Sequence, residues 1–209
     1  MNKASSGPPG SNAGTGDSLA QRIIARTRYL GDGLIQAGGF LNHRIDSQLM
    51  TEIGEGFAQR FARAGIEGIS LVVTAETSGI APALVTAQAI GVPMLFARKQ
   101  RPSTMAGECY AVTVPSHTKG KMVELSIAAE YLSSADRVVL IDDFLGSGLT
   151  ARGMLQLLAQ SGCRVCGLGF VLEKVYERGR EAIAGLGIPV ISLVRLDIEE
   201  QQLVLRAAD

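Results

Sequence analysis

The chain has 209 residues, 46% of them hydrophobic, with 20 basic and 20 acidic side chains and zero formal net charge. That length supports one well-buried core and is short for two domains. Balanced charge argues against a nucleic-acid surface, and no apolar run approaches the roughly 20 residues of a membrane span.

Residues 1–17 are rich in Gly, Ser, Pro and Asn and hold almost no apolar side chains. Such a segment cannot offset its ordering entropy by burial, so a disordered tail is expected, followed by a single domain over 18–209. The tail has no apolar stretch of the kind a secretory signal carries, which implies an intracellular, cytoplasmic protein. From Ser18, a plausible cap, Leu19, Ile23 and Ile24 fall at helical spacing. A Gly-rich connector, Gly31 to Gly39, leads into FLNHRID. Asp46 is placed to cap a second helix with an apolar stripe of Leu49, Met50, Ile53, Phe57 and Phe61.

After Gly65 the pattern becomes that of a buried sheet. ISLVVTA (69–75), VPMLFA (92–97), RVVLID (137–142), CRVCGLGFVLE (163–173) and IPVISLV (188–194) read as strands. Helical segments separate them, including APALVTAQAIG, LTARGMLQLLAQSG and a short one near Glu177–Ala184. Apolar strands alternating with helices predict an α/β fold, an open and mostly parallel sheet flanked by helices. Residues 98–136 break the rhythm: ECYAVTVP and KGKMVELSI alternate in polarity and predict a β-hairpin arm with a hydrophilic tip. Beside a ligand crevice such an arm is expected to act as a lid.

Cys109, Cys163 and Cys166 make no disulfide framework. The CxxC pair lies in a predicted strand, where an offset of three points side chains to opposite faces. Zinc would need two more ligands, and His43 and His117 are the only histidines. Ordinary packing is expected.

The most informative segment is VVLIDDFLGSGLTARGML (138–155). An apolar strand leads into Asp142 and Asp143, then a loop with Gly146 and Gly148, then a helix start. Ligands of open α/β sheets bind beyond the carboxyl ends of the strands. Gly146, Ser147, Gly148, Leu149 and Thr150 can turn backbone N–H groups toward one point at a helix N-terminus, which suits a phosphate. Two carboxylates nearby repel phosphate but accept hydrogen bonds from a vicinal diol. The combination points to a phosphorylated pentose. A Walker loop would need Lys where Leu149 stands, and a dinucleotide fingerprint would place its acid after the glycines.

VLIDDFLGSG resembles the ribose-phosphate motif of type I phosphoribosyltransferases. FLNHRID, the ETSGIAPA turn, the FARK strand end and VLEK before Tyr176 extend the likeness over most of Phe40–Leu193. They are similar to the purine-salvage branch, in particular its bacterial members that use xanthine. This chain carries Gly146-Ser147 where close relatives are expected to have Ala-Asn.

The resemblance implies transfer of the 5-phosphoribosyl group of 5-phosphoribosyl-1-pyrophosphate (PRPP) to a 6-oxopurine, xanthine first, with Mg²⁺ as cofactor and a homodimer as assembly. It implies a pyrophosphate loop at Glu76, Thr77, Ser78 and Gly79, and a base site at Ile35, Asn42 and Lys174. The hood over the base would come from about 18–45 and 174–209. Asp142 and Asp143 would carry catalysis and hold the metal directly or through water. Arg98 and Lys99 would neutralise the departing pyrophosphate. Tyr110, Ser116, Thr118 and Lys119 are candidate lid contacts. Lys174 can donate to a carbonyl at purine position 6 and mismatches the amino group of adenine. Phe170 is expected to pack in the core. Guanine or hypoxanthine remains open as the base. So does a non-catalytic PRPP-sensing regulator of the same fold, although that would need a DNA-reading module.

Overall fold

Asp46 shows how the sequence sets the first long element. Its side chain accepts from Leu49 N over 3.1 Å and caps helix α2, Ser47–Arg63. The expected stripe of Leu49, Met50, Ile53, Phe57 and Phe61 is buried against the sheet. The computed structural model describes residues 15–100, 107–115, 122–200 and 202–207. Of the tail expected over 1–17, residues 1–14 lie outside the described residues, as do the lid-tip residues Ser116, Thr118 and Lys119, whereas 15–17 are the start of a helix.

Helix α1, Thr15–Ile24, begins before Ser18, which therefore lies inside the helix and does not cap it. The supposed connector after it is a small hairpin, β1 (Arg28–Gly31) with β2 (Leu34–Gln36). Asp32 and Gly33 form its turn with φ 49° and 75°. Both values are positive, as a two-residue Asp-Gly hairpin turn requires.

The main sheet contains β3 (Leu71–Ala75), β4 (Met94–Ala97), β7 (Arg137–Leu145), β8 (Arg164–Lys174), β9 (Val190–Glu199) and β10 (Gln202–Arg206). Its order is β10-β9-β8-β7-β3-β4, parallel except that β10 runs antiparallel to β9 at the edge. Strand β10 was not anticipated. The chain moves outward from β3 to β4 in one direction and from β7 through β8 to β9 in the other. The order therefore reverses between β3 and β7, and that is where a crevice opens in an open α/β sheet.

Two apolar clusters cover the two faces. Helices α1, α2 and α3 (Ile80–Ile90) pack on one face, against Val72, Val139, Ile141 and Val171. Helices α4 (Leu149–Ala159) and α5 (Gly179–Ala184) pack on the other, against Val73, Val138, Leu140 and Phe170. Alternate residues of one strand thus serve opposite layers. Cys163 joins the second cluster and Cys166 the first, as their spacing predicts. Phe170 is core, as expected.

The arm is β5 (Cys109–Pro115) paired antiparallel with β6 (Met122–Ala128). It is anchored at two points. Arg98 and Ser126 exchange backbone hydrogen bonds of 2.8 and 2.9 Å. The Gln160 side chain, beyond α4, donates to Ala111 O at 2.7 Å and accepts from Ala111 N at 3.2 Å. Tyr110 packs against the second apolar cluster and is not a wall of the crevice.

Candidate active site

The crevice at the β3/β7 reversal is a cleft of about 390 Å³. Its walls include Glu76, Thr77 and Ser78 after β3, Lys99 after β4, and Asp142 and Asp143 on β7. Gly146, Gly148, Leu149 and Thr150 come from the loop into α4, Lys174 from the end of β8, and Leu34 and Ile35 from the small hairpin. Segments more than a hundred residues apart therefore meet. Val114, Pro115 and Val123 of the arm complete one side.

The two acids sit differently from the expectation. Strand β7 runs through them to Leu145, with Asp142 opposite Phe170 and Phe144 opposite Leu172 on β8. Parallel pairing holds them rigidly rather than leaving them at a free strand end. Asp142 Oδ1 accepts from Asp143 N, and Asp143 Oδ1 accepts from Phe144 N, each over 2.9 Å. Burial pushes the Asp142 carboxyl well above the usual carboxylate range, and the charge of Asp143 pushes the same way. Burial also raises Asp143, although its hydrogen bonds oppose this. Lys99 acts in the opposite sense on Asp142.

The phosphate-type loop is shaped by close approach. Gly148 has φ 79°, and a Cβ there would meet Gly179 O at 2.9 Å. No side chain makes the capping bond at the start of α4, and Gly148, Leu149 and Thr150 line the cleft directly. Ser147 is not among the lining residues. The packing of Gly179 at the start of α5 onto this loop was not anticipated, because nothing in RGR marks a buttress.

The loop after β3 is equally tight. A Cβ on Gly79 would lie 2.2 Å from Thr74 Oγ1 and 2.7 Å from Asp142 Oδ1. Gly79 thus allows the loop to lie against the acid pair, and the peptide between Glu76 and Thr77 is cis. The Glu76 carboxylate is tied to the chain that follows β4. It accepts from Lys99 N at 2.6 Å and pairs with Arg98 Nε at 3.4 Å. Arg98 is not brought to the cleft wall and stacks over the Phe96 ring at 5.4 Å. Its backbone bridges to Ser126, so the neighbouring Lys99, on the opposite alternation, reaches the cleft instead.

Lys174 donates to Glu177 Oε1 at 2.9 Å and lies 5.6 Å from the centre of the Phe144 ring. Asn42 is exposed and beside the cleft rather than lining it, and its Nδ2 donates to Ser78 Oγ over 3.0 Å. The hairpin carrying Ile35 is fixed by Tyr176, whose hydroxyl donates to Gly33 O over 2.8 Å. Behind Lys174, Glu173 is buried and accepts from Arg180 at 2.6 to 3.1 Å and from Ser192 at 2.6 Å. Burial alone would raise the Glu173 carboxyl; hydrogen bonds from Arg180 and Ser192 and the charges of Arg180 and Arg195 outweigh it and hold it below its ordinary value. Glu177, Phe144 and the Glu173 cluster had no signature in the sequence beyond their neighbourhood.

Among the described residues no group of three or more His, Cys, Asp or Glu side chains is placed to hold a metal ion. Of the cleft's acids, Asp142 and Asp143 are the pair that would serve a cation, since Glu76 is tied to Lys99 N. Two buried, mutually repelling carboxylates suit a hard cation that completes its shell with water and ligand oxygens.

The model of the phosphoribosyl transferase domain matches residues 45–182. A xanthine phosphoribosyltransferase of Streptococcus pneumoniae (strain CGSP14) is 44% identical over 192 residues, covering 91% of this chain and 98% of that protein. An adenine phosphoribosyltransferase from Thermoanaerobacter pseudethanolicus has the same fold, with TM-score 0.69 at 22% identity over 84% of this chain and 99% of that one. Another, from Giardia lamblia in complex with 9-deazaadenine, has TM-score 0.71 at 19% identity over 84% and 97%. The sheet order, the paired acids and these matches agree: the chain belongs to the phosphoribosyltransferase family and has its type I fold.

Proposed function

We propose that the chain transfers the 5-phosphoribosyl group of PRPP to N9 of xanthine, giving xanthosine 5′-monophosphate and pyrophosphate in purine salvage. One observation carries this reading: the acid pair, Gly146 and Gly148 to Thr150 of the following loop, the Thr77–Ser78 turn and Lys174 are walls of a single cleft. The high identity to xanthine phosphoribosyltransferases over nearly the whole chain supports the choice of base.

In this reading the amides of the Gly146–Thr150 loop and the Thr150 hydroxyl hold the 5-phosphate at the N-terminus of α4. Asp142 and Asp143 accept from the ribose diol. The Thr77–Gly79 turn and Lys99 face the pyrophosphate, and Glu76 with Arg98 pins that turn from behind. Asp142 and Asp143 would also hold Mg²⁺, directly or through water. Bound there, the ion supplies neutralising charge for pyrophosphate and ribose oxygens.

The electron pair of N9 forms the new bond to C1′, the purine's imidazole-ring proton passes to water, and the C1′–O pair leaves with pyrophosphate. Positive charge grows at C1′ during this exchange, so catalysis is electrostatic positioning without a protein nucleophile. Val114, Pro115 and Val123 are apolar walls that help keep water from the centre. Lys174 donates to the carbonyl at position 6. The same reading places the chain in the cytoplasm as a homodimer, and no helix among the described residues is long and apolar enough to cross a membrane.

A second base choice has an observation in its favour. Asn42, the candidate for the position-2 carbonyl, gives its amide to Ser78, so recognition at position 2 is not preset for xanthine. Guanine and hypoxanthine are the bases this would admit. A parallel spectrophotometric assay of xanthine, guanine, hypoxanthine and adenine with PRPP and Mg²⁺ tests both. Xanthine is expected to have the highest kcat/KM; turnover of adenine alone would overturn the assignment of Lys174.

A further inference from the structure

Lys174 ends β8 at the cleft, and its ammonium is held between two groups. One is Glu177 Oε1 at 2.9 Å; the other is the face of Phe144, 5.6 Å to the centroid. The ion pair spans one turn of 3-10 helix, Val175–Glu177, which sets the i, i+3 spacing. Both side chains are largely shielded, at 17% and 20% exposure, so the pair is screened less than one at the open surface. Lys174 lines the cleft and Glu177 does not. The carboxylate therefore stands behind the ammonium as seen from a bound base. The turn is pinned from both sides, by Tyr176 on Gly33 O and by Arg180 on Glu173.

We propose that Glu177 is a specificity-determining positioning residue. It neutralises Lys174 and so holds the base pocket near zero local charge, which favours an uncharged oxopurine over an ionised one. This rests on the assignment of Lys174 to the base. The chemistry follows from the ligands. A purine with two ring carbonyls loses a ring proton more readily than one with a single carbonyl, because the anion is delocalised over more oxygens. A lone ammonium would draw that anion in; an ammonium already paired attracts it far less and still donates a directed hydrogen bond.

Other charged and titratable groups stand around the pocket. Asp142 and Asp143 on β7 and Lys99 after β4 line the same cleft toward the ribose and pyrophosphate end. Tyr176 lies in the same turn, with Tyr29 of the hairpin and Asp197 of β9 near it. Burial keeps the Tyr176 phenol protonated far above neutral pH. Glu173 is committed to Arg180, Arg195 and Ser192. Among the described residues, Glu177 is the carboxylate in ion-pair contact with Lys174.

Two variants separate charge from placement. Glu177→Gln keeps an acceptor oxygen for Lys174 and removes the negative charge; Glu177→Ala removes both. The measurement is kcat/KM for xanthine and for hypoxanthine with saturating PRPP and Mg²⁺, at mildly acidic and mildly alkaline pH. In Glu177→Gln the xanthine-to-hypoxanthine ratio should stay near the parent's at mildly acidic pH and rise about fivefold at mildly alkaline pH, where the dioxopurine ionises. KM for PRPP should stay within about twofold. Glu177→Ala should lower kcat/KM for both bases about tenfold, because Lys174 loses its placement. An unchanged base ratio in Glu177→Gln at both pH values overturns the proposal, as does a PRPP KM that moves as far as the base KM. If the unsubstituted protein turns over neither base, the assignment of the pocket falls first and this inference falls with it.

Discussion

Asn42 Nδ2 donates to Ser78 Oγ over 3.0 Å, joining the hood to the loop after β3. The Ser78 hydroxyl also opposes the rise of the Asp143 carboxyl. The base side and the pyrophosphate side are thus linked through one hydroxyl. Ser78→Ala should raise KM for PRPP and for the base together, each by roughly fivefold, the worth of about one hydrogen bond. Asn42→Ala and Ser78→Ala combined should be less than additive, since both remove the same contact. Full additivity in a double-mutant cycle would show that the two residues act independently.

Lys174→Ala should affect the base alone. Loss of one charge-assisted hydrogen bond, about 1.5–3 kcal/mol, predicts roughly tenfold to hundredfold weaker base binding. PRPP affinity should stay within about twofold. Equal losses for both substrates, read by steady-state kinetics or calorimetry, would mean that the base does not lie at the end of β8.

Asp142→Asn should abolish turnover and stabilise the ligand-free fold. Burial raises the Asp142 carboxyl in the folded state, so folding takes up a proton above the ordinary carboxylate pKa. Its contribution is then most favourable at low pH and falls as pH rises from the unfolded value toward the raised folded one. The amide has no such loss. A Tm higher by about 2–4 °C at neutral pH, equivalent to about 1 kcal/mol, is expected, with the gap closing under acid conditions. Near-normal rates in this variant, or in Asp143→Asn, would discredit the ribose assignment.

Glu173→Gln should weaken the fold and spare the reaction centre's charges. Arg180 and Arg195 would then be left without their shared carboxylate. Breaking one partner of a buried ion pair typically costs about 3–5 kcal/mol. The Arg180 and Arg195 side chains keep some contact with solvent, so about 2 kcal/mol, or roughly 4–8 °C in Tm, is the expected loss. The folded pKa of Glu173 is depressed, so its stabilisation is present above the unfolded carboxylate pKa and is lost as pH falls. Thermal melts from neutral to acid pH should show a smaller difference between variant and parent at the acid end.

Chelation should stop turnover without melting the protein. The described residues offer two aspartates to a cation and no larger cluster. EDTA should therefore leave the Tm of the ligand-free protein unchanged within about 1 °C, since a metal that does not bind the free native state cannot stabilise it. A large drop in Tm would reveal a structural metal.

Sheet strands, the Asp46 cap, the α2 stripe and the arm were legible because each is a local pattern. The two-residue hairpin was legible in principle from Asp32-Gly33, but the surrounding glycines read as a connector. Strand β10 was missed because QLVLR is short and borrows its pairing from β9. Among the site residues, the acids, the Gly146–Thr150 loop and Lys174 carried recognisable spacing, whereas the partners that orient them did not.

By itself the sequence determined the order of the core strands and the helices between them, the faces they bury and the chemical inventory of the loops, because these depend on neighbours along the chain. Only the tertiary structure decided that Lys99 rather than Arg98 reaches the cleft, that Glu76 is a latch, that Gly179 braces the phosphate-type loop and that Glu177 backs Lys174. Those outcomes depend on strand register and on contacts between segments distant in the chain. A strand shifted by one residue turns each side chain to the other face, and no local pattern near residues 76, 98 or 177 encodes that choice.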